Sequence, residues 1–191
     1  MTTAAVIIAA GSGRRLGGVA KALLRTGMTT YLGRIVDTAR AAGVEQLVVV
    51  VGPPHDEVVR AEARRLEIDE RDIVDNFDPG RGMASSIEIG FRAVMNRASR
   101  AYLWPVDHPF VTAKTLAALA KGLGTHDAAR PIFDGRGGHP PLVAKLLFAP
   151  LSTCSKEPEG ARSVLATRDV AGVQVDDPGV VHDIDTPEDL A

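Results

Sequence analysis

Continuous apolar runs alternate along the chain with stretches whose apolar residues recur every three or four positions. Ala4 to Ala10 is an unbroken apolar run, rich in β-branched residues and closed by Gly11, as expected of a strand buried on both faces. From Thr30 to Ala42 the apolar positions Leu32, Ile35, Val36 and Ala39 fall at helical spacing, with Thr29 or Thr30 as cap and Gly43 as stop. Leu47 to Val51 predicts a second buried strand, ended by Gly52-Pro53-Pro54, and Asp56 to Leu66 a charged surface helix with Val58 and Val59 inward. A short strand near Ile73 follows. After a Gly/Pro loop, Ile87, Phe91, Val94 and Met95 mark a helix beginning near Ser85. Tyr102 to Val106 reads as the next strand, and Thr112 caps a helix running through Leu116 and Leu119 to Gly122.

Repeated strand and helix predict an α/β fold built on a single doubly wound, mostly parallel, Rossmann-like sheet, with function at strand C-termini. Beyond Gly124 the pattern weakens into a strand around Ala128 to Phe133, a Gly-rich turn, a Pro-bounded apolar segment to Leu151 and short pieces. The expectation is one domain over residues 1–191 with a less regular C-terminal third. Thr186-Pro187-Glu188-Asp189 has the cap, N1 proline and acidic first turn that open a helix.

Composition narrows this picture. A chain of 191 residues buries roughly two thirds of its unfolded surface, enough for its own core. Aromatics at 4% and 19 glycines suit an aliphatic core with tight loops. A net charge of -2 argues against a nucleic-acid partner, so any phosphate site must be local. The single Cys154 cannot form an internal disulfide, and MTTAAVIIAAGSG lacks the basic lead and long apolar run of a signal peptide, so the cytoplasm is the expected compartment. No apolar stretch approaches the ~20 residues of a membrane span.

Candidate chemistry begins directly after the first strand, in Gly11-Ser12-Gly13-Arg14-Arg15-Leu16-Gly17-Gly18-Val19-Ala20-Lys21. Glycines at this place let backbone amides approach an anion closely, and Arg14, Arg15 and Lys21 add charge that can grip a triphosphate. A P-loop needs Lys and then Ser or Thr after its last glycine, but Gly18 is followed by Val19; the spacing of Gly11, Gly13 and Gly17 also misses the dinucleotide pattern. A second candidate is Asp107, at a strand end in Val106-Asp107-His108-Pro109, where a carboxylate suits magnesium; the alternative role there is a helix cap. Asp183 and Asp185 are two apart in an expected strand, which puts both on one face and turns Ile184 to the core. His55, His108, His126 and His182 show no metal spacing with Cys154, and no zinc site is implied.

The segment AAGSGRRLGGVAK resembles the opening block of the MobA-like nucleotidyltransferase superfamily, and especially of the molybdenum cofactor cytidylyltransferases. GMASSIEIG, PVDHPFV, GGHPPLV, GARSVL and DIDTPEDL resemble the later blocks in order, so the resemblance spans nearly the whole chain. It implies a nucleotidyltransferase fold and magnesium-dependent transfer of a nucleoside monophosphate to a phosphorylated acceptor, with release of pyrophosphate. Catalysis would rest on Arg15, Lys21, Asp107 and Asp185. Ala9, Ala10, Gly11, Gly13, Arg14, Arg15 and Lys21 would bind the nucleotide. The base would be read by Gly80 and Arg81, with Ser85 and Ser86 at the start of their helix; Ser85 can equally be an N-cap. His139, Pro140 and Arg162 fall to the acceptor, and Asp107 with Asp183 or Asp185 to Mg2+.

The resemblance suggests CTP as donor and molybdopterin as acceptor, with a molybdoenzyme as possible partner and no membrane role. Ala9-Ala10-Gly11 resembles the cytidylyl members, whereas the Gly17-to-Lys21 spacing resembles the guanylyl members, which keeps GTP open. Transfer to a sugar or alcohol phosphate, and a non-catalytic nucleotide-binding accessory of a molybdoenzyme, are the alternatives.

Overall fold

The computed structural model of the protein describes residues 1–184, the side chain of Arg15 apart. Strand β1 (Thr3–Ile8) is buried along its whole length, and its side chains divide by parity, as the two-residue period of a strand requires. Ala5 and Ile7 pack in one core with Leu32, Ile35 and Val36 of α1 (Tyr31–Ala41), Val59 and Ala63 of α2 (Asp56–Arg65), and Leu116 and Leu119 of α4 (Ala113–Gly122). Ala4, Val6 and Ile8 pack in a second core with Ile87, Phe91 and Val94 of α3 (Met83–Val94), Phe148 and Leu151 of α5 (Phe148–Leu151), and Val164 of α6 (Ala161–Ala166). The sheet is therefore covered by helices on both faces.

Helix limits follow from capping. Thr30 accepts from the Gly33 amide at 2.9 Å and caps α1, and Thr112 caps α4 through the Thr115 amide, both at predicted positions. Two predicted details differ. Val58 is 49% exposed, because only Val59 and Ala63 of α2 fall on the inward stripe. Helix α3 starts at Met83 behind Gly82, so Ser85 lies within its first turn rather than at its cap. On that helix Gly90 allows close packing, since a Cβ there would stand 2.2 Å from Val6 Cγ1.

The other long strands are β4 (Gln46–Val51), β5 (Ile73–Asp75), β6 (Arg100–Pro105), β7 (Ala128–Phe133), β9 (Leu142–Ala144) and β10 (Val170–Gln174). Their order is β10-β7-β9-β6-β1-β4-β5, with β8 (Arg136–Gly137) on β7 and a separate hairpin of β2 (Arg25–Thr26) and β3 (Thr29–Thr30). Pairing is parallel except around β8 and β9, so the mostly parallel sheet expected from the alternation is present. The weakly patterned C-terminal third completes this sheet. The chain doubles back at Asp134-Gly135, both with positive φ, and β9 is then laid antiparallel between β6 and β7.

β1 pairs with β6 on one side and β4 on the other, with Ile8 opposite both Pro105 and Val50. The connection from β1 runs to β4 on one side and that from β6 runs through α4 to β7 on the other, and this divergence opens a crevice at the C-terminal ends of β1 and β6.

Candidate active site

A cleft of about 550 Å³ fills that crevice. Its floor is Ile8, Ala9 and Ala10 from the end of β1 and Pro105, Val106 and Asp107 from the end of β6. Ala9 and Ala10 have left the strand but stay buried, and the Ala9 amide still donates to the Val50 carbonyl at 2.9 Å.

The glycine loop is shaped by its own backbone. Gly13 sits at φ +60, and its carbonyl accepts from both the Leu16 and Gly18 amides at 2.9 Å. A Cβ on Gly13 would stand 1.9 Å from the Val19 carbonyl oxygen, so the turn closes only around glycine. Buried Leu16, Ala20 and Ala22 pin this loop to the core. Among the described residues, the amides of Gly11, Ser12 and Gly13 donate to no other backbone group, and all three residues line the cleft with Arg14 and Lys21. Such a concave run of amides beside cations is suited to phosphate oxygens.

Lys21 Nζ lies 3.9 Å from Asp107 Oδ2, which brings the loop cation and the strand-end carboxylate together at the cleft floor. Asp107 does not cap α4, a role taken by Thr112. The C-terminal segment is tied to the same place. Asp177, 3% exposed, accepts from the Thr112 amide and hydroxyl, the Thr115 hydroxyl and the Gly179 amide at 2.5–3.1 Å. Beyond it the Val180 carbonyl accepts from the His139 amide at 2.7 Å, and the Ile184 amide donates to the Asp107 carbonyl at 3.0 Å. Ile184 is buried as expected, but Asp183 is exposed and its segment is not a strand. The expected roles of Asp185 and of the helix from Thr186 lie outside the described residues.

On the opposite rim, Gly80, Gly82 and Ser86 line the cleft, whereas Arg81 and Ser85 do not. Arg81 reaches outward to Ser155 Oγ at 3.1 Å and to Glu88 at 3.9 Å. Burial would raise the Glu88 carboxyl pKa, but bonds from the Ser155 hydroxyl and amide and the nearby charges of Arg92 and Arg81 outweigh it and hold the pKa below the ordinary value. Arg81 therefore anchors this rim to the 154–157 segment. Ser85 is buried and donates to the Gly82 carbonyl at 2.8 Å. Asn76, which sequence reasoning passed over, holds both serines; its only sequence signal is its place after a short strand.

His139 and Pro140 stand outside the cleft lining. The His139 ring lies 4.9 Å from that of His108, whose Nε2 is 3.9 Å from Asp107 Oδ1. Burial, then the neighbouring His108, Arg130 and Arg162, pushes the His139 pKa down to about 3, so its ring is neutral near pH 7. Among the described residues neither histidine Nδ1 has a hydrogen-bond partner. Arg162, exposed on α6, is thus close enough for its charge to be felt at His139. Arg130, missed from the sequence, donates to the Gly137 carbonyl at 3.1 Å and supports the turn that carries His139.

By fold and by relatives the chain is a nucleotidyltransferase. It belongs to the MobA-like NTP transferase family, whose domain description matches residues 5–173. It is 30% identical over 178 residues to the "Probable molybdenum cofactor guanylyltransferase" of Methanosarcina acetivorans, covering 90% of this chain and 77% of that protein. It is also 30% identical over 186 residues, 95% of this chain, to the bifunctional protein GlmU of Caulobacter vibrioides, of which it spans 39%. Among solved structures, Rv0371c of Mycobacterium tuberculosis H37Rv in complex with manganese is 25% identical, with a TM-score of 0.75, covering 100% of this chain and 96% of that one.

Proposed function

We propose that the protein transfers a nucleoside monophosphate from CTP to a phosphorylated acceptor, molybdopterin, and releases pyrophosphate. The observation that carries this reading is the meeting of the Gly11–Gly13 amides, Lys21 and Asp107 at the switch point between β1 and β6. A triphosphate lying on the glycine loop places its α-phosphorus near Lys21 and Asp107, open to in-line attack by an acceptor phosphate oxygen. Catalysis is then positioning and charge neutralisation, with no covalent enzyme intermediate. Arg15 and Lys21 balance the charge that grows on the α-phosphate and the leaving pyrophosphate. His139, Pro140 and Arg162 serve the acceptor from the β6 side.

The donor set at Asp107 fits Mg2+. Its carboxylate is partly exposed at a cleft suited to phosphate, which suits an ion held by one or two protein carboxylates with phosphate oxygens and water completing its shell. Asp107, with Asp183 or Asp185, would hold the ion and leave its other positions to phosphate oxygens and water. Bound there, magnesium neutralises phosphate charge and orients the triphosphate.

Molybdopterin is supported by the name of the Methanosarcina relative, which also makes GTP the competing donor. CTP is supported by Ala9 and Ala10 in the floor of the cleft. A Cβ on Gly52, just past the end of β4, would stand 3.0 Å from Ala10 Cβ, so the Ala10 methyl takes up space at that end of the cleft floor and favours the smaller pyrimidine. Such a methyl discriminates by ~1–3 kcal/mol. Pyrophosphate release is to be measured with the four nucleoside triphosphates, magnesium and molybdopterin. Release is expected with CTP above the others. Equal or better use of GTP overturns the donor, and no release with any pair overturns the transfer reaction.

A further inference from the structure

Asn76 is 2% exposed at the end of β5, and its hydrogen bonds fix the direction of a hydroxyl in the cleft. Its side-chain oxygen accepts from the Asp78 amide at 3.1 Å. A backbone N–H can only donate, so the atom facing it must be Oδ1, and Nδ2 must face the two serines. Nδ2 donates to Ser85 Oγ at 2.9 Å and to Ser86 Oγ at 2.8 Å. Ser85 sends its own proton to the Gly82 carbonyl, which also takes the Ser85 amide at 3.1 Å. Ser86 is different. Its oxygen is engaged by Asn76, it lines the cleft, and among the described residues its proton has no acceptor.

We propose that Asn76 is a specificity-positioning residue: by donating to Ser86 Oγ it commits the Ser86 hydroxyl to act as a donor into the cleft, selecting nucleobases that present a carbonyl oxygen there. This rests on the nucleotidyltransfer reading and deepens it. Cytosine, uracil and guanine carry exocyclic carbonyls; adenine has an amino donor where guanine has its carbonyl, and its acceptors are ring nitrogens set back from that position. Asn76 takes one of the two lone pairs of Ser86 Oγ and the nearby Gly82 carbonyl already accepts two bonds, so the Ser86 proton is the group this rim is set to offer a ligand. A polar group left unpaired in a closed site is costly, which makes a fixed hydroxyl direction discriminating rather than merely adhesive.

Asn76→Asp separates positioning from bulk structure. A carboxylate still accepts from the Asp78 amide, but toward Ser86 it can only accept, so the hydroxyl turns and a lone pair faces the cleft. Calorimetric titration of the full chain with the magnesium complexes of CTP, GTP and ATP reads the outcome. Wild type is expected to bind CTP and GTP at least ~10-fold more tightly than ATP, the worth of one such bond. In Asn76→Asp that ratio falls toward one, with ATP affinity unchanged or higher. An equal loss for all three nucleotides, or an unchanged ratio, overturns the inference. Should Asn76→Asp fail to fold, Ser86→Ala carries the same test, because it deletes the donor while Asn76 keeps its bond to Ser85. Wild-type protein that binds none of the nucleotides overturns the nucleotidyltransfer reading itself, and the inference with it.

Discussion

The backbone amide of Ile184 donates to the carbonyl of Asp107 at 3.0 Å, joining segments more than seventy positions apart in the chain. With Ile184 buried and Asp177 clamped on the N-terminus of α4, this bond ties the segment that carries Asp183 to the backbone of Asp107. Asp107 is thereby held by its backbone while its carboxylate stays with Lys21.

Replacing Asp107 by Ala is expected to lower pyrophosphate release by at least ~100-fold, because a group acting on transition-state charge contributes to rate rather than to packing. Its main-chain bond to Ile184 survives the change. The melting temperature should therefore stay within a few degrees of wild type. Activity within a few-fold of wild type at saturating magnesium would remove Asp107 from the mechanism.

Gly13→Ala and Gly17→Ala form a matched pair. Both positions have positive φ, at +60 and +72, so each substitution costs about 1–2 kcal/mol in backbone strain. At Gly17 the new Cβ meets nothing within 4 Å, but at Gly13 it meets the Val19 carbonyl oxygen. Gly13→Ala should therefore weaken nucleotide binding by ten-fold or more while Gly17→Ala binds nearly as wild type. Titrations of the two variants with the same nucleotide compare them directly; equal affinities would mean that the shape of the Gly13 turn does not matter.

Asp177→Ala should destabilise the fold. It leaves the Thr112 amide, both threonine hydroxyls and the Gly179 amide without their acceptor, for a loss of ~2–4 kcal/mol. Urea melts measure it. Activity should fall in parallel, since the segment leading to Ile184 loses its anchor; a loss of stability with full activity would show that the segment holds its place without Asp177.

His139 gives a pH prediction. Its folded pKa of about 3, set first by burial and then by His108 and the arginines, lies below its ordinary 6.5. Below pH 6.5 the unfolded chain takes up a proton that the folded chain refuses, so stability present at neutral pH is lost as pH falls toward 3. The slope is at most ~1.4 kcal/mol per pH unit. Urea melts at pH 7, 6 and 5 should show this decline in wild type and a flatter profile in His139→Asn. Parallel profiles would mean that another group sets the acid response.

Much of this protein is determined by local sequence. The Ala4-to-Ala10 run and the three- and four-residue spacing in α1, α3 and α4 dictate which residues face the sheet, because parity in a strand and angular position on a helix follow from backbone geometry alone. Asp107 at a strand end and the glycine loop after β1 were legible for the same reason. The tertiary structure decided what depends on neighbours distant in sequence. It places β9 antiparallel between β6 and β7, turns Arg81 out to Ser155, and puts His139 on His108 rather than in the cleft lining. Asn76 and Asp177 also emerged only in three dimensions, because an Asn or Asp side chain looks the same in sequence whether water or buried amides and hydroxyls satisfy it, and only packing removes the water.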